Sequence, residues 1–185
     1  MVGITSLLIP ILLSAVLVFV VSSVIHMTLT YHKNDFQKLP NEDAVMDALR
    51  PLSIAPGDYL MPHAGGAANM NKPEFLERRN KGPVAVMTVI APGPPAMGAQ
   101  LLMWFLYAAL VSLFAAYVSG RALGPGAAYM AVFRLIGTVA FTGYALALLQ
   151  NSIWYKRNWG MTLRTMFDGL IYSLLTAGVF GWLWP

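Results

Sequence analysis

The sequence predicts an all-α membrane protein: four transmembrane helices, with a cytoplasmic α+β insert between helices 1 and 2. Three observations lead to this fold class. Of the 185 residues, 57% are hydrophobic and only 11% are charged, whereas a soluble domain carries about 25% charged residues. Four apolar segments are long enough to cross a bilayer, which takes roughly 20 helical residues. Most of the charged residues lie in a single connection, between Thr30 and Ala96.

The four segments are predicted from runs that lack charge and from the residues that interrupt them. The first run contains one histidine and no charged residue. The second begins after a proline cluster that ends at Pro95, because proline breaks a helix that would otherwise precede it. The third carries Arg134, and the fourth is so short that we expect Asp168 near one of its ends. In chain order, the predicted segments are 4–29, 98–117, 127–150 and 165–184.

Basic residues are distributed unequally between the two sides of these segments. The connections from helix 1 to helix 2 and from helix 3 to helix 4 hold ten Lys and Arg residues, whereas the opposite side holds Arg121, with Arg134 just inside the bilayer. The positive-inside rule therefore predicts that both connections are cytoplasmic and that the N- and C-termini lie outside. The net charge of +4 suits anchoring to an anionic inner leaflet and does not point to nucleic acid.

The insert, residues 30–96, is too long for a passive connector and too apolar to be disordered. Asn41 followed by two acidic residues predicts a helix N-cap, and the helix should end before Pro51. A second short helix is predicted over 73–80, with Gly82 at its C-terminal exit. Two strand candidates, 57–61 and 84–90, could pair as an antiparallel ribbon around that helix.

A family resemblance rests on four short runs in the first half of the chain. They are His26-Met27, the run from Leu39 to Val45, the run from Pro56 to Tyr59, and Gly82-Pro83-Val84. With these runs the chain resembles small bacterial integral membrane proteins of uncharacterised function. The resemblance implies a multi-pass protein of the bacterial inner (cytoplasmic) membrane, and it transfers no catalytic or binding residue.

No catalytic, cofactor-binding or metal site is predicted. The chain has no Cys, which excludes disulfides and thiolate chemistry. His26 and His32 are six residues apart, so on one continuous helix they would lie about 120° apart and could not share a face. His63, between Met61 and Met70, could be read as part of a soft copper site, but a proline-glycine turn with methionine packing is favoured.

Three smaller sets of residues remain as site candidates. His26 and Asp168 are predicted at the same depth, as a structural polar pair. Arg134 and Arg121 are predicted to contact lipid or another anion, since no acidic residue lies on their side. A third set consists of small residues spaced every four positions on the second helix, which favour close approach of another helix. This partner-helix face comprises Ala108, Ser112 and Ala116.

The function that these features favour is a non-enzymatic integral membrane accessory or scaffold subunit, acting through helix packing and its cytoplasmic insert. Its expected partners are the lipid bilayer and other membrane protein subunits or a second copy of itself, with no nucleic acid and no cofactor. The alternative is a small transporter or channel subunit for a solute, lipid or metal ion. Such a protein would need polar helix interiors, broken helices or repeats. An intramembrane enzyme is least favoured, because no catalytic constellation is visible.

Overall fold

A computed structural model describes all 185 residues and divides the chain into two compact units. The first unit comprises 1–36 and 96–185, and the second comprises 37–95. The predicted insert began at Thr30, but residues 30–36 belong to the helical unit. This displacement matters because three of those residues form part of the site described below.

The regular elements of the helical unit and of the insert follow the predicted order. In chain order they are α1 (Leu8–Thr28), α2 (Glu42–Leu49), β1 (Gly57–Met61), α3 (Pro73–Lys81), β2 (Ala85–Val89), α4 (Met97–Ala122), α5 (Tyr129–Tyr144), α6 (Leu149–Tyr155) and α7 (Trp159–Leu183). A 3₁₀ turn, Ile4–Leu7, precedes α1. Another, Leu146–Leu148, joins α5 to α6.

Four helical segments are long and apolar enough to cross a membrane, as predicted. They are Ile4–Thr28, Met97–Ala122, Tyr129–Tyr155 and Trp159–Leu183, of 25 to 27 residues each. At a rise of 1.5 Å per residue, these segments are about 38–41 Å long, which exceeds the roughly 30 Å of a bilayer core. The helical part of the predicted fold class is therefore confirmed at the level of length and composition.

The long helices pack in a ring in which each helix contacts two neighbours. Helix α1 packs against α4 and α7, and α5 packs against the same two helices from the other side. One buried apolar cluster includes Leu7, Val132 and Phe180, and a second includes Val18 and Tyr144. Side chains from all four long segments meet in these two clusters, so the helices form a closed ring around a shared apolar interior.

The fourth long helix begins six residues earlier than predicted, at Trp159. Asn158 explains this start, since its side-chain oxygen accepts a hydrogen bond from the Gly160 backbone N–H at 2.7 Å, which is the usual action of an N-cap. Asp168 therefore lies in the tenth position of a 25-residue helix. The expectation that it lies near a helix end is wrong.

The third long segment is interrupted where it crosses α7. The backbone leaves the α-helical region at Ala145 (φ −125°, ψ −49°). At this point Gly169 of α7 approaches so closely that an added Cβ would lie 3.1 Å from the Ala145 Cβ and 3.2 Å from the Tyr144 carbonyl oxygen. The absence of a side chain at Gly169 thus permits the close crossing next to Asp168.

The small-residue face of α4 is internal, which corrects its predicted exposure to a partner helix. Ala108, Ser112 and Ala116 are all fully buried. Ala116 belongs to a cluster with Leu7 of the α1 segment, and Ala108 belongs to a cluster with Val18 of α1. Small residues allow close approach here as expected, but the neighbouring helix is part of the same chain.

The insert contains the predicted antiparallel ribbon. Gly57 pairs with Val89 and Met61 pairs with Ala85, and α3 lies between the two strands in sequence. Helix α2 ends at Leu49, before Pro51, also as predicted. The predicted Asn41 cap is wrong, because Asn41 has a left-handed backbone (φ 51°) and its side chain makes no capping hydrogen bond.

Candidate functional site

A turn after α1 brings polar side chains onto the middle of α7. Helix α1 ends at Thr28, and two successive turns follow, closed by Lys33 N–H to Thr30 C=O (3.1 Å) and Asp35 N–H to His32 C=O (3.0 Å). We call the side chains that meet at this place the polar cluster. Its members are His26, Tyr31, His32, Asp35, Arg164 and Asp168.

Asp168 is the centre of the polar cluster. Its side chain is only 1% exposed. One carboxylate oxygen accepts a hydrogen bond from the Tyr31 hydroxyl, and the other lies 2.8 Å from Nε2 of His32. A buried carboxylate requires such partners, because an uncompensated buried charge is very costly.

Asp35 bridges the turn to α7 a second time. Its Oδ2 lies 2.6 Å from Nδ1 of His32, and its Oδ1 accepts a hydrogen bond from Nε of Arg164 at 2.9 Å. Arg164 and Asp168 lie one helical turn apart on α7, a spacing that permits a local ion pair, but Arg164 bonds Asp35 instead. Arg164 thereby ties α7 to the turn rather than to its own helix.

The charges of the turn stabilise one another. Burial alone would lower the pKa of His32, but the hydrogen bonds with Asp35 and Asp168 outweigh burial and raise that pKa. Burial alone would raise the pKa of Asp35, but the hydrogen bonds from His32 and Arg164 hold it below its ordinary value. Burial and the bond to Asp168 raise the pKa of Tyr31. His32 and Asp35 are therefore favoured as an ion pair, and Tyr31 as a neutral donor.

His26 lies beside the cluster but does not bond Asp168 directly. Its Nδ1 lies 3.0 Å from the Ser22 carbonyl oxygen, one turn earlier in α1. Its ring stacks on His32, with ring centroids 4.7 Å apart. His26 and Asp168, the predicted polar pair, therefore lie near each other but are not hydrogen-bonded. His32 is the histidine that bonds the Asp168 carboxylate.

An aromatic layer continues from the polar cluster into the bundle. Trp104 donates from Nε1 to Oγ of Ser22 at 2.8 Å. Its ring contacts Tyr172, which in turn packs against Tyr144 with ring centroids 5.7 Å apart. Tyr172 lies one helical turn after Asp168, is 3% exposed, and its hydroxyl has no hydrogen-bond partner. This layer could not be predicted from the sequence, because its members are far apart in the chain.

The other residues singled out from the sequence lie elsewhere. Arg134 is exposed on α5, and Arg121 lies over the ring of Tyr117, with 5.6 Å between the guanidinium carbon and the ring centroid. Neither arginine forms a salt bridge, so their contact with lipid or an anion stays a prediction. His63 lies in the insert, where its Nδ1 accepts a hydrogen bond from the Gly65 N–H at 3.2 Å.

Comparisons with protein families, with curated proteins and with solved structures find no match to this chain.

Proposed function

We propose that this chain is a non-enzymatic accessory or scaffold subunit of the bacterial inner membrane, and that it binds a partner protein through the insert, residues 37–95. The four long helices would cross the bilayer and hold the insert at its cytoplasmic face. This orientation rests on nine basic residues in the two connections on that side, with Arg164 in the second turn of α7. The partner would be another membrane protein subunit or a second copy of this chain.

The observation that carries this proposal is the lack of a core in the insert. Both buried apolar clusters consist of residues in the helical unit. The insert's two strands form a ribbon without a third strand, and such a ribbon is marginally stable by itself in water. A partner that covers the insert would supply the apolar contacts that the insert does not make internally.

Helix α2 provides the clearest surface for such a contact. Val45, Met46 and Leu49 lie on one side of the helix at helical spacing, and all three are exposed, Met46 by 53%. The acidic residue Asp43 lies beside this stripe, whereas Asp47 lies on the opposite side of the helix, next to Ala44. An apolar stripe with a charged margin is typical of a helix that packs against another protein.

The bundle interior favours the accessory role over the alternative role in transport. Leu7, Val18, Ile136 and Phe180 are fully buried and fill the space between the long helices in the two apolar clusters. A solute path along the bundle axis would require these side chains to move apart. The alternative of a transporter or channel subunit therefore receives less support from the packing.

The proposal can be tested by purifying the tagged protein from its native membrane in mild detergent and measuring the stoichiometry of the proteins that accompany it. Met46→Asp should remove a stoichiometric partner, because it places a charge in the apolar stripe. Ala44→Asp is the matched control, since residue 44 lies on the opposite side of the same helix, and this variant should retain the partner. Equal retention by both variants, or purification as a lone monomer, would contradict the proposal.

A further inference from the structure

Three members of the polar cluster place potential metal ligands close together. One ligand atom each from His26, His32 and Asp168 lies within 4.8 Å of the other two. On one continuous helix, His26 and His32 would lie about 120° apart and could not share a metal ion. Since α1 ends at Thr28 and the chain turns back, the two rings stack on one another instead.

Each imidazole already uses its second nitrogen in the way that metal-binding histidines do. Nδ1 of His26 faces the Ser22 carbonyl oxygen, and Nδ1 of His32 faces the Asp35 carboxylate at 2.6 Å. Histidines that bind metals almost always direct their other nitrogen to a carbonyl or carboxylate group, which fixes the ring and its tautomer. Arg164 in turn holds Asp35. The nitrogen that can face an ion is therefore Nε2 in both rings, and in His32 the ion would replace the proton that Nε2 shares with Asp168, 2.8 Å away, with release of that proton.

The donor set matches a divalent transition-metal ion. Two imidazole nitrogens and one carboxylate oxygen are the ligands found in open zinc sites with a fourth position for water or another group. Imidazole nitrogen binds Zn²⁺ and its neighbours in the first transition row better than it binds Mg²⁺ or Ca²⁺. The Tyr31 hydroxyl donates a hydrogen bond to the same Asp168 carboxylate.

The three residues differ in their exposure to solvent, and the more exposed ones leave a route by which an ion could reach Asp168. Asp168 is buried, His32 is partly exposed, and His26 is exposed at the edge of the bundle. The buried hydroxyl of Tyr172, one turn after Asp168, has no partner in the protein. This hydroxyl is an unused hydrogen-bonding group in the helical turn that follows the carboxylate.

We propose that His26, His32 and Asp168 bind one divalent transition-metal ion, with Nε2 of each histidine and the Asp168 carboxylate as protein ligands. In a tetrahedral site, metal–ligand bonds of about 2.0–2.2 Å place ligand atoms about 3.3–3.6 Å apart. The site therefore closes by a shift of His26, the exposed member, on the order of 1 Å. This proposal is independent of partner binding by the insert, because its residues all belong to the helical unit.

The test is Zn²⁺ binding by the purified full-length protein in detergent, after removal of metal with a chelator. Isothermal titration and elemental analysis should find one Zn²⁺ per chain. His26→Gln should weaken binding at least tenfold while leaving the fold intact, because this side chain is exposed. His63→Gln is the matched control, since it removes a histidine from the other unit, and it should bind Zn²⁺ as tightly as the unmodified protein.

Co²⁺ provides a second readout that does not depend on affinity alone. The visible absorption of Co²⁺ bound to the unmodified protein should indicate nitrogen and oxygen ligands in four or five coordination, and His26→Gln should change that spectrum. Less than half an equivalent of Zn²⁺ bound at saturation would overturn the proposal. So would equal Zn²⁺ affinity in His26→Gln and the unmodified protein, or loss of binding in His63→Gln.

Discussion

Replacing Asp168 with Asn should lower the free energy of unfolding of the metal-free protein by about 2–3 kcal/mol at about pH 6. The change keeps the size of a side chain that is 1% exposed and removes its charge. The amide oxygen can still accept the Tyr31 hydrogen bond. The decrease in the free energy of unfolding therefore comes mainly from the weakened contact with His32, 2.8 Å away. A hydrogen bond to a charged group contributes about 1.5–3 kcal/mol, and complete loss of one partner of a buried pair costs about 3–5 kcal/mol.

A double-mutant cycle with His32→Gln isolates this contact. The coupling energy between the two substitutions should be about 1.5–3 kcal/mol, because each removes the same interaction. Thermal unfolding in detergent with a chelator is a suitable assay, and a change of 1 kcal/mol shifts the melting temperature of a chain of this size by about 2–4 °C. Arg134→Gln is a control, because this exposed residue has no ion-pair partner.

The coupling should also depend on pH, in a direction that the raised pKa of His32 determines. A histidine whose pKa is raised on folding stabilises the fold fully below its unfolded value of 6.5 and loses this effect as pH rises through the folded value. The lowered pKa of Asp35 stabilises the fold above the unfolded value of 3.8, and this effect is lost as pH falls through the folded value. A coupling energy within about 0.5 kcal/mol of zero near pH 6, or one that grows in alkaline solution, would refute the reasoning.

Three further predictions follow from the packing and the proposed orientation. Gly120→Ala should destabilise the protein by about 1–3 kcal/mol, because the added Cβ would lie 2.6 Å from a backbone carbonyl oxygen. Gly98→Ala in the same helix has open space and should be neutral or stabilising by up to about 1 kcal/mol in the same melting assay. Ser112→Leu should lower the melting temperature and the yield of folded protein rather than release a partner, because Ser112 is fully buried; an unchanged melting temperature would contradict its internal position. A single Cys at Asn71 should react with an impermeant maleimide in inverted inner-membrane vesicles and not in intact cells, and the opposite pattern would reverse the proposed orientation.

The long helices and the ribbon could be predicted because their signals are local. An uncharged apolar run that is long enough to cross a bilayer can be recognised within a single segment of the sequence. The strand Ala85–Val89 lies in a short run rich in branched side chains between Pro83 and Pro92, as the pattern for a strand requires. Helix α3 likewise begins at Pro73 and is followed by Gly82 with a positive φ of 64°.

The polar cluster could not be predicted because its contacts join distant parts of the chain. His32 and Asp168 are 136 positions apart, and neither residue type nor spacing identifies such a pair in one sequence. The position of Asp168 within its helix was also predicted wrongly for a local reason. The polar residues after Asn158 interrupt the apolar run, so the first two turns of α7 were left out of the predicted helix. Asn158 itself was the available signal, because asparagine before an apolar run favours a helix start.

The burial of the α4 small-residue face shows a limit of motif reasoning. Small residues every four positions predict close helix packing, and that packing is present. The motif carries no information about whether the neighbouring helix belongs to the same chain or to a partner. Only the position of α1 against Ala108 and Ala116 decides between these two cases.

The most direct test of the account is whether the turn after α1 lies against α7. The chain has no Cys, so Asp35→Cys with Arg164→Cys can be joined by a short bifunctional thiol reagent in a variant that carries a protease site at Gly66 in the insert. The contact between Arg164 and Asp35 predicts that the two fragments stay covalently joined after cleavage. The control pair, Asp35→Cys with Arg134→Cys, should yield separate fragments, because Arg134 lies beside Leu174, more than two turns further along α7. Separate fragments from the Asp35 and Arg164 pair would contradict the account.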